Sequence, residues 1–161
     1  MAQIVIADAS PIIILAQIGG LDWLVPLFGK VWLTEIVRDE ILPGGKPGEK
    51  AILEALASSV LVVIDKDWPK PQFPELDEGE ASTIRAALNL PEKCLLLMDE
   101  RLGRMVAQEN GLSVAGVAGL IGMSKKRGLI PSASAVFEQL LQTDFRISPD
   151  LIRSVLLKVG E

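Results

Sequence analysis

The chain has 161 residues, of which 49% are hydrophobic, and it carries a formal net charge of −5 with no histidine. That length fits one domain able to bury a sizeable core without disulfides or a structural metal. The missing histidine excludes Ser-His-Asp and Cys-His catalysis and histidine metal sites, so any chemistry must run on carboxylates.

The single cysteine, Cys94, excludes an internal disulfide, and its place in "CLLLM" reads as a buried small hydrophobe. The acidic balance opposes broad attraction to nucleic acid and leaves room for a local basic rim around an acidic centre. Polar residues such as Gln17 and Asp22 keep every apolar run short of the about 18 residues a membrane span needs. The N-terminal region lacks a positive lead-in and a small-residue cleavage site. A soluble, cytoplasmic protein is expected.

In chain order, Gln3–Ala7 reads as a strand. Helical spacing follows over Pro11–Ile18, Leu21–Phe28, Thr34–Leu42 and Gly48–Ser58. Val60–Ile64 reads as a second strand, Glu78–Leu88 as a helix, Cys94–Met98 as a strand, Arg101–Asn110 as a helix and Leu112–Ala115 as a strand. Three helices complete the chain, over Val117–Arg127, Ser132–Gln142 and Pro149–Val159. The strands are apolar on both sides without clean alternation, which fits central parallel strands covered by helices. Alternation of strand and helix then predicts an α/β sandwich with right-handed crossovers. "LPGGKPG" (Leu42–Gly48) and "DWPKPQFPELDEG" (Asp67–Gly79) read as surface loops within one domain. The helices from about residue 131 read as an appended lid or a dimerisation element.

The acids carry the chemistry. Asp8 sits where the first strand ends, and ligands in open α/β sheets bind at the carboxyl ends of strands. Ser10 and Pro11 supply a cap and a first helical residue, which leaves Asp8 free for function. Asp99 repeats the arrangement after "CLLLM", although it could itself cap the next helix. Glu100 reads as a first-turn acid with a secondary metal role. Glu40 ends the helix in "LTEIVRDEIL", where a carboxylate opposes the helix dipole. Glu80 has the spacing of a capping-box partner to Asp77. Asp65 also follows a strand, but "KDWPKP" after it reads as a departing loop.

If the strands are neighbours, three or four carboxylates converge, and their repulsion calls for a hard divalent cation on an oxygen-only ligand set. Mg²⁺ or Mn²⁺ suits such a site, and phosphodiester hydrolysis is the chemistry it serves best.

"VIADASPIIILAQIG", "LTEIVRDEIL", "LDEGEASTIRAAL", "LLLMDERLGRMVAQENGLSVAGVAGLI" and "KKRGLI" resemble, in order and spacing, the PIN-domain proteins, most of all the prokaryotic branch of toxin-type ribonucleases. The similarity spans nearly the whole chain. It implies a three-layer α/β/α fold with a mainly parallel sheet of about four to five strands, and a metal-dependent ribonuclease. Asp8, Glu40, Glu80 and Asp99 match the family's catalytic acids and would hold Mg²⁺ or Mn²⁺, with Glu100 as a further acid. Ser10 matches the usual small polar neighbour. The resemblance also implies an RNA substrate, a small antitoxin partner and a homodimer, for which the apolar helices Leu21–Phe28 and Val136–Leu141 offer a surface. Two departures stand out: Leu97 and Met98 precede Asp99 where relatives carry Thr or Ser, and Thr34 stands where the branch has proline.

Arg101 and Arg104 begin the helix after Asp99 and are candidates for substrate binding; Lys125, Lys126 and Arg127 form the only basic run and read equally well as a solvated helix face. Other acid-based readings fit less well. A phosphoacceptor receiver needs an acidic pair before its first helix, and an aspartate-nucleophile phosphatase needs an acid where Ser10 stands. A catalytically silent scaffold of the same fold is the remaining alternative. "GGKPG" lacks the ending of a phosphate-binding loop.

Overall fold

The computed structural model describes residues 3–42, 44, 45 and 47–161. Among these, five strands form one parallel sheet: β1 (Ile4–Ala7), β2 (Val31–Thr34), β3 (Leu61–Ile64), β4 (Cys94–Leu97) and β5 (Ser113–Ala115), in the order β3-β2-β1-β4-β5. The helices are α1 (Ala9–Gln17), α2 (Leu24–Phe28) after a 3-10 turn at Gly20–Trp23, α3 (Glu35–Ile41), α4 (Glu49–Ala57), α5 (Glu78–Asn89), α6 (Arg101–Glu109), α7 (Val117–Lys126), α8 (Ala133–Leu141) and α9 (Pro149–Lys158). This is the expected α/β PIN-like architecture.

Successive strand residues point to opposite faces of a sheet, and here both faces are apolar. Val5, Ala7, Leu33 and Leu97 pack into one core with α1, α3, α4, α7 and α8. Ile6, Leu96 and Cys94 pack into a second core with α5 and α6. Two-sided burial explains why the strands show no polar alternation. Cys94 is buried there, as its setting predicts.

Four strands are legible from apolar runs, and β2 is the one missed. Val31–Thr34 runs into α3 without an intervening turn: Thr34 ends the strand and caps the helix, its hydroxyl accepting from the Val37 N–H at 3.2 Å. The helical spacing of "LTEIVRDEIL" therefore absorbed the strand. A second correction concerns α1. Ser10 is not its cap; the helix starts at Ala9, Asp8 occupies the cap position without a side-chain capping bond, and Pro11 sits third in the helix, where no intrahelical N–H partner is required.

The C-terminal helices join the first core: Ala133, Val136, Phe137 and Leu140 of α8 are buried in it, and Val155 and Leu156 of α9 pack against it. Most of the two apolar segments considered for dimerisation is also core, leaving Val25 and Leu141 as their exposed large hydrophobics. Among the described residues, no single helix is long and apolar enough to cross a membrane.

Candidate active site

The chain order of the sheet places a topological switch between β1 and β4: β2 and β3 extend one way from β1, β4 and β5 the other. The crevice at the carboxyl ends of such strands is where open α/β sheets bind ligands. Ala7 pairs with Leu97 in register, and the Asp8 N–H donates to Leu97 O at 2.9 Å. Asp8 and Asp99 thus leave neighbouring strands at the same sheet edge. Asp65 leaves the outer strand β3 and is exposed, away from this switch.

Asp8 is only 4% exposed, and its carboxyl is raised from the ordinary 3.8 to about 7. Burial is the main cause; the Ala9 amide works the other way, and the charges of Asp77, Glu40 and Glu100 add to the rise. Glu80, 6% exposed, is raised from 4.5 to about 8 by burial, by its side-chain hydrogen bond with Asp77, and by the charges of Asp77, Asp8 and Glu100. Asp8, Glu40, Glu80, Asp77 and Glu100 therefore form one electrostatically linked group.

Asp77 enters this group as the N-cap of α5, one half of the capping box that its spacing predicts. Its carboxylate accepts from the Glu80 N–H at 2.8 Å and so starts α5. The N-terminal part of α5 is tied to the junction of β2 and α3 by a 2.7 Å hydrogen bond between the buried hydroxyls of Thr34 and Ser82. That bond sets the helix carrying Glu80 against the helix carrying Glu40.

Asp99 behaves differently. The cap position of α6 is Glu100, and Asp99 instead accepts from the Val117 N–H at 3.0 Å, fixing the start of α7. Its carboxyl is raised to about 6 by burial, partly offset by that amide and by Arg104, with the Glu100 charge adding to the rise. Glu100 connects Asp99 to the other acids.

Of the predicted cations, Arg104 is structural on one side: its guanidinium donates to Met98 O at 3.0 Å beside Asp99. Arg101 is exposed and shares a cavity of about 520 Å³ with Ser10, Asp99 and Glu100. A second cavity of about 500 Å³ lies on the Arg104 side of Asp99. Asp8, Glu40 and Glu80 lie outside both linings. Lys125 is committed elsewhere, donating to Pro131 O at 2.7 Å and pairing with Glu161 at 3.5 Å.

Three glycines escaped the reading of the sequence. A Cβ on Gly79 would fall under 3.0 Å from all three carboxylate atoms of Glu40, one on Gly103 would meet Glu80 Oε2, and one on Gly116 would meet Asp99 Oδ1. Each of these acids closes over a backbone that only glycine leaves bare. The signal was present in "DEGEAS", "DERLGR" and "SVAGVA", but which acid each glycine meets depends on long-range packing.

The donor set suits a hard divalent cation: it is all oxygen, and Glu80 Oε2 and Asp99 Oδ2 are buried without a hydrogen-bond partner. Among the described residues, no group of three or more such side chains is arranged to hold a metal ion.

No curated protein matches this sequence. A family profile described as a PIN domain matches residues 4–161. Nearly the whole chain is covered, including β1, β4 and every acid of the site. The chain thus belongs to the PIN-domain family, whose members are typically nucleases acting on nucleic acids with divalent metals.

Proposed function

We propose that this protein is a metal-dependent endoribonuclease whose site is formed by Asp8, Glu40, Glu80 and Asp99, with Glu100 as an accessory acid. The observation that carries the reading is the convergence of buried carboxylates, each raised by burial and by its neighbours' charge, at the switch between β1 and β4. These residues would hold Mg²⁺ or Mn²⁺, which supplies a water activated for attack and stabilises charge on the phosphoryl group.

The protein's own contribution is positional. Thr34 and Ser82 lock α3 to α5, Gly79 and Gly103 let Glu40 and Glu80 lie against bare backbone, and Val117 orients Asp99. Burial favours the protonated form of Glu80 and Asp8, so binding a cation on their oxygens would release protons. Arg101 and Ser10, which share a cavity with Asp99, would meet the phosphate backbone. In the toxin-type reading, a small antitoxin would cover this cleft.

The test is cleavage of a mixed single-stranded RNA pool with Mg²⁺, with Mn²⁺ and with EDTA, alongside Asp8→Asn. Metal-dependent cutting that disappears in the variant supports the assignment; equal cutting by both proteins sinks it. A second reading, a catalytically silent scaffold, is favoured by the finding that, among the described residues, no three acids are arranged to hold an ion. It predicts no metal binding by calorimetry and no cutting.

A further inference from the structure

Both cavities flanking Asp99 include Phe145 and Arg146 in their walls. These residues lie between α8 and α9, so that connection crosses the groove beside Asp99 and divides it into two recesses. Their volumes, about 520 and 500 Å³, fall within the roughly 300–1,000 Å³ of ligand pockets.

The two halves differ in chemistry. One gathers the acids Asp99, Glu100 and Asp144 with Arg101 and the shared Arg146, so its acids outnumber its cations. The other gathers Arg104, Arg146 and Lys158 with the hydroxyls of Ser148 and Ser154, and Asp99 is its only carboxylate. In a chain of net charge −5, three cations around one recess stand out against the average.

Their partners sharpen the contrast. Arg38, Arg85, Lys125 and Arg153 are held in ion pairs, and Arg104 and Arg127 donate to backbone carbonyls. Arg146 and Lys158, both exposed, make no hydrogen bond or ion pair among the described residues. Their charges remain available to a ligand, and their position beside an acidic cleft suits a polyanion that must be held near that cleft.

We infer that the recess lined by Arg104, Arg146 and Lys158 is a nucleotide subsite that grips a single RNA strand next to the cleaved linkage. This rests on the nuclease reading. The strand crosses Phe145, a phosphate meets Arg146 and Lys158, and the adjoining linkage lies at Asp99. A recess of this size admits one unstacked nucleotide and not a duplex, and the aromatic ring in the dividing wall offers a face for a base. The apolar part of the wall, Val114, Ala118, Leu151 and Val155, gives a base a surface without demanding a particular sequence.

The test is fluorescence anisotropy with a labelled single-stranded 12-nucleotide RNA over a salt series in Mg²⁺, on the full chain carrying Asp8→Asn so that the probe survives. Adding Arg146→Ala with Lys158→Ala should make the salt slope shallower by about 1.4, which at 0.1 M salt is about 25-fold in affinity relative to the 1 M limit. A paired Lys93→Ala and Lys126→Ala control, outside both recesses, should change the affinity far less. Equal affinity and slope with and without the Arg146 and Lys158 substitutions overturn the subsite, even if the wild-type protein cuts RNA. So does a 12-base-pair duplex bound as tightly as the single strand. Loss of binding in the double substitution, in a protein whose wild type cuts nothing, upholds the recess as an RNA-gripping site and removes the nuclease reading, and with it the cleaved linkage.

Discussion

Asp99, at the end of β4, accepts a hydrogen bond from the backbone N–H of Val117 at 3.0 Å and so caps a helix that begins 18 residues later. One side chain thus serves both the site and the fold, and the two roles separate by substitution. Asp99→Asn keeps an oxygen to accept from Val117 and removes the charge; it should abolish metal-dependent cleavage with stability unchanged or raised. Asp99→Ala should also lose about 1 kcal/mol, the usual cost of a missing helix cap. Urea unfolding of both variants beside an RNA cleavage assay checks this, and equal destabilisation by Asn and Ala would refute the capping role.

The raised carboxyls predict the direction of pH dependence. Asp8, Glu80 and Asp99 bind protons more tightly in the folded chain than in the unfolded one, with folded values of about 7, 8 and 6 against ordinary values of 3.8, 4.5 and 3.8. Their contribution to stability is therefore fully present below about pH 4 and is lost as pH rises through 6 to 8. In EDTA, Tm should fall between about pH 5 and about pH 8. Mg²⁺ or Mn²⁺ should raise Tm more at the higher pH, because protons compete with the ion for the same oxygens. A Tm that climbs across this range in EDTA would contradict the assignment of these groups.

Gly79 offers a test that divides stability from function. Alanine is the better helix former by about 1 kcal/mol, yet the added Cβ would displace the Glu40 carboxylate. Gly79→Ala should therefore match or exceed the wild type in thermal unfolding while losing at least about tenfold in cleavage rate, since small misplacements at a site are costly. Unaltered activity would show that the position of Glu40 does not matter.

Glu161 predicts an effect far from the site. Its carboxylate accepts from the Ala133 N–H at 2.7 Å and the Ser134 N–H at 3.1 Å, and it pairs with Lys125 at 3.5 Å, joining the region after α9 to the starts of α8 and the end of α7. The two amides chiefly hold its pKa below the ordinary 4.5, so its stabilisation is present above that value and disappears as pH falls through the lowered one. Glu161→Gln should lower Tm at neutral pH, with the difference vanishing in acid. A difference that persists at low pH would assign the effect to packing.

The sequence by itself determined the α/β class, four of the five strands, and the four acids matched to the family's motifs. Those features are local: an apolar run of strand length, a carboxylate at its end, a capping spacing such as Asp77 to Glu80. Strand β2 was hidden because Thr34 belongs to both a strand and the helix it caps, so one periodic signal overwrote the other. Only the tertiary structure decided that Asp8 and Asp99 share a sheet edge, since the order β3-β2-β1-β4-β5 arises from pairing between residues about ninety apart. It also decided which acid each glycine shelters, that Asp99 caps α7 and not α6, and that Arg146 reaches the groove while Lys125 does not. The physical reason is common to all of these. Burial, charge coupling and close approach depend on distances in space, and residues far apart in the chain acquire those distances only when the sheet assembles.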